Sequence, residues 1–281
     1  MPETLRYGIP KLLRVHFANV GHAASRLAPL TLPFYQDTGT GPEPVHATIW
    51  AENGIGKTSI RSLLFSVLQP DVQRVMKSAN AAGGKRKYQG FFFKGNDHAI
   101  ILMEWVFDDI QQRLPRFGNA GANRRIIGMT AAWSPQAAGL ALQNRSLSDL
   151  ERTYFSFTPN QGVRWDILPV KGLTADGTDY CKTSTEFLNW LKTHRQSVDF
   201  KMFKTQTEWR GHLEDMGLDP KLIDNQLSMN GSGGAIQVFK DRIRSPQDFV
   251  KFYIESTLPE EIGQRLRPRS GLPVCLKRKH R

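Results

Sequence analysis

The stretch "AENGIGKTSI", residues 51–60, constrains the fold more than any other part of the sequence. A short run before it, "VHATIW" at 45–50, predicts a buried strand, and "TSIRSLLFSVLQP" predicts a helix that stops at Pro70. Glycines between a strand and a helix can cradle a phosphate group, or they can simply make a turn. The residues beside these glycines favour the phosphate cradle.

Gly54, Gly56, Lys57 and Thr58 match a phosphate-binding loop in order. In such a loop the backbone amides surround the β-phosphate, the lysine reaches the β- and γ-oxygens, and the hydroxyl binds magnesium. Ala51 replaces the leading glycine of G-x-x-x-x-G-K-[ST], but the flanking strand and helix are the context that this motif requires. We therefore expect ATP and Mg²⁺ as cofactors, with Thr58 as the metal ligand. The predicted nucleotide-binding residues are Asn53, Gly54, Ile55, Gly56, Lys57, Thr58 and Ser59.

The composition is that of an ordinary soluble protein, with 281 residues of which 40% are hydrophobic and 23% charged. The sequence has no run of about 18 apolar residues that could span a membrane. Its first residues lack the basic region followed by an apolar region that is typical of a signal peptide. We expect a cytoplasmic protein without membrane contact. Its two cysteines, Cys181 and Cys275, are too far apart to indicate a zinc site, and the histidines are scattered.

Positive charge is concentrated in three stretches, and the net charge is +12. They are residues 72–96, 110–148 and 262–281, and none of them contains a carboxylate. Basic stretches of this kind attract phosphate backbones, so DNA is an expected partner, although a solvated basic surface would have the same composition. We expect one domain over residues 1–258 and a basic, disordered tail over 259–281.

Other segments have patterns that predict strands and helices. Residues 11–21 and 26–34 predict a hairpin, whose second strand lies at an edge because it contains Pro29 and Pro33. The composition of 36–44 predicts a loop and that of 78–87 a flexible basic loop, while Trp50 is expected in the sheet core. The remaining predictions are strands at 98–109 and 124–134 in an antiparallel meander, and helices at 184–194, 205–217 and 245–258.

The order of these elements over residues 11–109 resembles the RecF/SMC/MukB branch of the ABC-type ATPases. Heads of that branch begin with two strands, here "LLRVHFANVG" and "APLTLPF", and continue with a buried strand and N-G-x-G-K-[ST]. A leucine-rich helix and a strand like "HAIILMEWVF" follow. The stretch from Tyr88 to Trp105 looks most like SMC-like proteins of Wadjet plasmid-defence systems. The resemblance implies an α/β P-loop NTPase fold: an ABC/SMC-type half-head with N-terminal antiparallel strands and a helical lobe.

The resemblance also implies that part of the ATPase site lies elsewhere. In that branch a coiled coil separates the N-terminal half, with its phosphate loop, from a C-terminal half that supplies the signature helix and the acidic strand. This chain has no sustained heptads, and nothing after residue 260 resembles the C-terminal half. We therefore expect an ATP-binding half of an SMC-like, DNA-associated ATPase. Hydrolysis would need a second head or the C-terminal half.

Residues 225–239, "NQLSMNGSGGAIQVF", lie where the resembled branch has its Q-loop. The resemblance implies that Gln226 is the catalytic glutamine that connects magnesium and the attacking water to the helical lobe. Two other interpretations remain open. The "SGGA" residues could act like the ABC signature, or Gly231, Gly233 and Gly234 could make a plain turn.

Glu104, Asp108 and Asp109 are local candidates for a hydrolytic acid, but we favour their assignment to an edge of the meander. Asp108 or Asp109 would supply the acid in an alternative function, a self-contained P-loop kinase or phosphotransferase with a lid around Arg124 and Arg125. A further alternative is a non-catalytic DNA-binding module that keeps a degenerate nucleotide site for folding.

Overall fold

A six-stranded antiparallel sheet forms the centre of the fold. The structure is a computed structural model that describes residues 10–22, 25–39, 41–50, 56–80, 85–92, 98–107, 124–141, 144–174, 180–231, 245 and 247–248. Its strands are β1 (Pro10–Ala18), β2 (Gly21–His22), β3 (Ser25–Arg26), β4 (Leu30–Pro33), β5 (Tyr35–Asp37), β6 (Pro42–Pro44), β7 (Ala99–Phe107), β8 (Arg124–Trp133), β9 (Leu150–Phe157) and β10 (Lys201–Phe203). The large sheet has the order β10-β9-β8-β7-β1-β4, so β10 and β4 are its edges among the described strands.

Helices cover both faces of this sheet. They are α1 (Lys57–Leu68), α2 (Val72–Ala79), α3 (Pro135–Ala138), α4 (Ser184–Thr193), α5 (Arg195–Val198), α6 (Gln206–Asp215) and α7 (Pro220–Gly231). Among the described residues, none of the helices combines the length and the apolar character that crossing a bilayer requires.

The alternation of side chains along β7 divides the core into two layers. Ile101 and Met103 point to one face, where they pack in a cluster with residues of α1, α2, α6 and α7. Ile100 and Leu102 point to the other face and pack with α4 and the segment 163–170. Successive side chains of a strand lie on opposite faces, so a strand in the sheet interior buries both sets. The position of a residue along β7 therefore decides whether it faces α1.

The predictions for well-patterned segments are confirmed. The hairpin of 11–21 and 26–34 appears as β1 and β4, with β4 at the sheet edge as its prolines indicated. The meander strands are β7 and β8, and the predicted helices are α1, which ends before Pro70, α4 and α6. At the start of α4 the Thr183 hydroxyl accepts a hydrogen bond from the Glu186 amide at 3.1 Å, as a helix cap does. The mixed α/β class is thus confirmed.

Two local predictions are wrong. Residues 36–44 are not a simple loop, because β5 and β6 pair as a small hairpin there. The segment 45–50 is not a buried strand. It has no strand conformation, and Trp50, which was expected in the sheet core, is 87% exposed. A strand needs a neighbour to bond with, and no strand among the described residues pairs with this segment.

Some predictions fall largely outside the described residues. Of the helix at 245–258, the structure describes its cap, where the Ser245 hydroxyl accepts a hydrogen bond from the Asp248 amide at 3.1 Å. Residues 81–84 of the basic loop and the whole tail at 259–281 are also outside the described part of the chain. The first two residues of the predicted basic loop, 78 and 79, belong to α2 instead.

A buried histidine of β1, His16, connects this strand to β4 and to the segment around Lys171. Nδ1 of His16 accepts a hydrogen bond from the Thr31 hydroxyl at 2.8 Å, and Nε2 donates to the Lys171 carbonyl at 2.9 Å. Gly172 follows with φ of 82°, and a Cβ on it would lie 2.3 Å from the Pro29 Cβ. The close approach therefore requires glycine at 172, since any other side chain would collide with Pro29 and strain the backbone.

We expect this histidine to make the folded state sensitive to acid. Burial lowers the pKa of His16 to about 4. The hydrogen bond to the Lys171 carbonyl raises this pKa, but by less than burial lowers it. The unfolded chain, with an ordinary histidine pKa of about 6.5, binds more protons between these values. The stability is thus complete above about pH 6.5 and falls as the pH drops towards 4. Urea unfolding at pH 7 and pH 5 measures this loss.

The non-titrating variant His16→Gln is the control for the acid sensitivity. Its stability should fall less between pH 7 and pH 5 than that of the unchanged protein. A residual loss is expected because His212, which is also buried, has its pKa lowered to about 4 by the same cause. An equal loss in the variant and the unchanged protein would contradict a contribution of His16.

Candidate functional site at the start of α1

Gly56 sets the backbone geometry at the start of α1. Its φ of 97° and ψ of 17° are left-handed, a conformation that glycine adopts without strain. The Ile60 amide donates to the Gly56 carbonyl at 2.9 Å, which closes the first turn of the helix. A Cβ built on Gly56 would meet no described atom within 4 Å. Backbone conformation, rather than crowding, is therefore the reason for glycine here.

The first amides of α1 lack the side-chain cap that other helices of the protein have. Asp71, Thr183 and Thr205 accept hydrogen bonds from the first-turn amides of α2, α4 and α6. In the described part of the chain, no side chain caps α1 in this way, and its first turn has no acidic residue. Helix N-termini carry partial positive charge, and their unpaired amides suit an anion. The first turn of α1 thus suits a negatively charged ligand.

Lys57, Thr58 and Ser59 occupy this first turn. Their side chains are half-buried, so they remain accessible from solvent. The Ser62 hydroxyl donates to the Thr58 carbonyl at 2.7 Å, which adds a bond within the first two turns. An ammonium, two hydroxyls and uncapped amides are thus grouped within a single turn. This set of donors fits a phosphate group, with one hydroxyl as a possible magnesium ligand.

The opposite end of α1 is fixed to the rest of the fold. The Trp209 indole in α6 donates to the Val67 carbonyl at 2.6 Å, and the Arg152 guanidinium in β9 donates to the Pro70 carbonyl at 3.0 Å. Polar donors at a helix C-terminus satisfy carbonyls that have no partner within the helix. With Leu63 and Val67 fully buried in the core, α1 is held as a fixed support for its N-terminal turn.

Three of the seven predicted nucleotide-binding residues lie outside the described residues. This applies to Asn53, Gly54 and Ile55, whereas Gly56, Lys57, Thr58 and Ser59 are brought together at the start of α1. Two of the candidate acids, Asp108 and Asp109, also lie outside the described part of the chain.

Glu104 is not an edge residue of the meander, and it faces away from α1. It lies on β7, between β1 and β8 in the sheet interior. By the alternation along β7 its side chain points with Ile100 and Leu102 to the face opposite α1. Glu104 is 2% exposed, and its carboxylate accepts from Arg14 Nε at 2.6 Å. We conclude that Glu104 is a structural ion-pair partner rather than an acid for the start of α1.

Arg124 and Arg125 do not form a lid. Both lie in β8, where Arg124 is 3.9 Å from Glu104 and Arg125 donates to the Asp199 carboxylate at 2.9 Å. Arginines held in a sheet by ion pairs lack the freedom to close over a ligand. The lid that we expected for a self-contained kinase is therefore absent from these two positions.

Gln226 lies in a helix rather than in a loop. Residues 225–231 form the last part of α7, and Ile223 and Leu227, four residues apart, bury its inner side. Gly231 ends this helix, while Gly233, Gly234 and the "SGGA" residues lie outside the described chain, so the turn and signature interpretations stay open. The side chain of Gln226 is exposed. The role of Gln226 in catalysis stays a prediction.

The part of α7 just before Gln226 contacts the far end of α1. Asp224, two residues before it, bonds the side chains of Gln69 and Arg74, which lie just beyond the C-terminus of α1. A helix of 12 residues is about 18 Å long, so Lys57 and Thr58 are roughly that far from Gln69.

The sequence did not indicate a buried serine–histidine pair under α6. The Ser156 hydroxyl is 2.7 Å from Nε2 of His212, and Arg125 donates to the same hydroxyl at 3.4 Å. Burial, followed by the positive charges of Arg125 and Lys201, lowers the pKa of His212 to about 4, so the ring is neutral at pH 7. Ser156 is fully buried and out of reach of a substrate. The pair is a structural link between β9 and α6.

Comparison with known proteins gives no family assignment. No protein-family model matches the chain, and no curated protein matches its sequence.

Proposed function

We propose that this chain is the ATP-binding half of an SMC-like, DNA-associated ATPase. The observation that carries the proposal is the N-terminus of α1, where left-handed Gly56 precedes Lys57 and Thr58 and no described side chain caps the helix. An anion at this position would accept hydrogen bonds from amides of the first turn and lie beside the Lys57 ammonium. The preceding residues, which include Gly54, supply the rest of the sequence motif.

Each residue of the first turn has a distinct part in this proposal. The Lys57 ammonium offsets negative charge on the β- and γ-phosphates, and the amides of the turn orient them. The Thr58 hydroxyl holds Mg²⁺, which supplies charge neutralisation on the phosphates when it is bound. A nucleotide-bound magnesium needs few protein ligands, since phosphate oxygens and water complete its shell. The single hydroxyl therefore fits this metal, although the described residues contain no cluster of three metal-binding side chains.

The segment that leads into the motif supports the requirement for a second polypeptide unit. Val45, Ile49 and Trp50 are 42%, 47% and 87% exposed, so three apolar side chains of this short segment face solvent. Grouped apolar exposure of this kind is typical of a surface that another structure covers. In a P-loop fold the strand before the loop lies inside the sheet. We therefore assign the covering unit to the C-terminal half of a head or to a second head.

ATP binding and ATP turnover by the purified chain test the two parts of this proposal separately. Titration with a fluorescent ATP analogue in Mg²⁺ should give saturable binding that unlabelled ATP reverses. Release of phosphate by the same sample should stay at the level of a protein-free control, because Glu104, the candidate acid that the structure describes, points away from α1. Rapid turnover by the pure monomer would contradict the need for a second unit. Salt-dependent DNA binding without any ATP binding would instead favour the non-catalytic DNA-binding module.

A further inference from the structure

A basic groove lies beside β10, at the opposite edge of the sheet from β4. Its volume is about 390 Å³, and it is lined by Lys192, Arg195, Phe200, Lys201, Met202 and Phe203. Lys192 comes from the last turn of α4, Arg195 begins α5, and the others lie in or next to β10. Three elements that are adjacent in sequence thus place three cations around one concavity.

The charges around this groove favour an anionic ligand. The six lining residues include no carboxylate, and that of adjacent Asp199 is already bonded by Arg125 at 2.9 Å and lies 3.8 Å from Lys201 Nζ. His212 lies behind β10, stacked on Phe203, and adds no negative charge. The side chains of Lys192 and Arg195 are exposed, so their charges are available to solvent and to a ligand. The groove therefore presents a net positive potential.

The floor of the groove is apolar, which restricts the kind of anion. Met202 is half-buried and packs in the same cluster as buried Phe200, whereas half-buried Phe203 packs on His212 in the other cluster. Met202 therefore supplies the accessible part of this floor. Inorganic phosphate would leave this floor uncovered, whereas a nucleotide unit combines a phosphate with a flat base and a sugar. Ligand sites of roughly 300–1,000 Å³ hold molecules of that size. Bases stack on apolar and aromatic side chains when they are not paired in a duplex.

An acidic peptide is a poorer fit to the same edge. A peptide would have to add as a strand to β10, which has three residues and is flanked by exposed Lys204. Short edge strands with lysine disfavour the addition of another strand. A DNA duplex is also a poorer fit, because its bases are stacked inside and cannot reach the floor of a concave groove.

We propose that the groove between α4 and β10 binds single-stranded nucleic acid. The phosphates lie on Lys192, Arg195 and Lys201, and a base or sugar covers Met202. The site does not depend on the proposed ATP site, since it is at the β10 edge, whereas α1 packs over β7 and β8. Failure of one proposal therefore leaves the other standing.

The triple variant Lys192→Ala/Arg195→Ala/Lys201→Ala tests the site in the full chain. Fluorescence anisotropy with a labelled single-stranded oligonucleotide is expected to show a roughly tenfold or greater loss of affinity at 0.15 M salt. The slope of log K against log salt should become shallower by about two, since each phosphate contact contributes about 0.7. A matched control is the variant Lys85→Ala/Arg86→Ala/Lys87→Ala, which removes the same charge from another exposed stretch.

Equal losses of oligonucleotide affinity in the two triple variants would contradict binding in the groove and indicate general attraction to a basic surface. A DNA duplex or an acidic peptide that binds more tightly than the single strand, and that loses this affinity in the first triple variant, would also overturn the proposal. If the first triple variant fails to fold, a photo-reactive oligonucleotide cross-linked to the unchanged protein gives a second measurement. Its adducts should map to residues 192–203, and adducts confined to other segments would exclude the groove.

Discussion

Replacement of Lys57 by alanine is expected to weaken ATP binding by roughly tenfold to a hundredfold, because a hydrogen bond to a charged group contributes about 1.5–3 kcal/mol. The lysine lies in the first turn of α1, after left-handed Gly56 and among amides that no described side chain caps. Its removal leaves those amides but takes away the ammonium that offsets the phosphate charge. Titration of the purified variant with a fluorescent ATP analogue measures the difference.

The variant Lys77→Ala is the matched control for this result. Lys77 is exposed in the last turn of α2, so its removal changes the net charge equally without touching the first turn of α1. Its affinity for ATP should equal that of the unchanged protein, and the melting temperatures of all three proteins should agree. If ATP affinity were the same for Lys57→Ala and the unchanged protein, the proposed role of the α1 N-terminus would be wrong.

Replacement of Trp209 by alanine is expected to lower the free energy of unfolding by about 3–5 kcal/mol. Trp209 is fully buried in α6, and its ring stacks on Tyr154 of β9 with the centroids 5.3 Å apart. Its indole also donates to the Val67 carbonyl near the end of α1. Alanine would leave a large cavity and an unpaired buried carbonyl, and both are costly. Urea unfolding followed by circular dichroism measures the loss.

Trp190→Ala provides the comparison for the effect of losing a tryptophan. Trp190 is half-buried in α4, where it contacts His194 and packs against the rim of the second cluster, so its replacement leaves a smaller cavity than that of fully buried Trp209. Its replacement should cost about 1 kcal/mol, the centre of the range for single substitutions. A comparable loss for the two variants would show that the link between α6 and α1 adds nothing to stability.

The sequence predicted the elements in which residue pattern and secondary structure coincide. The apolar run of β7 and the capped, periodic α4 were both predictable, because each pattern has one dominant structural solution. β9 was not predicted, although "LERTYFSF" carries an aromatic signal that could have identified it. α7 was also missed. Its polar, glycine-containing end hides the helical spacing of Ile223 and Leu227.

The residue types of the candidate site were predictable from the sequence, whereas the arrangement of the residues around it was not. Gly56, Lys57 and Thr58 were found because their order has a specific chemical meaning. The face to which Glu104 points depends on pairing with β1 and β8, which no local pattern encodes. The exposure of Trp50 has the same origin, since an apolar residue is buried only when another part of a structure covers it.

The two prolines of β4 restrict how a second polypeptide can join this protein. Pro29 precedes the strand and Pro33 ends it opposite Arg14, and proline has no amide hydrogen to offer a new neighbour. A partner strand could therefore form few backbone hydrogen bonds with the outer side of β4. At β10 the exposed lysines disfavour the addition of a strand. We expect an incoming chain to dock on 45–50 instead, so that assembly would proceed beside the nucleotide and could respond to its presence.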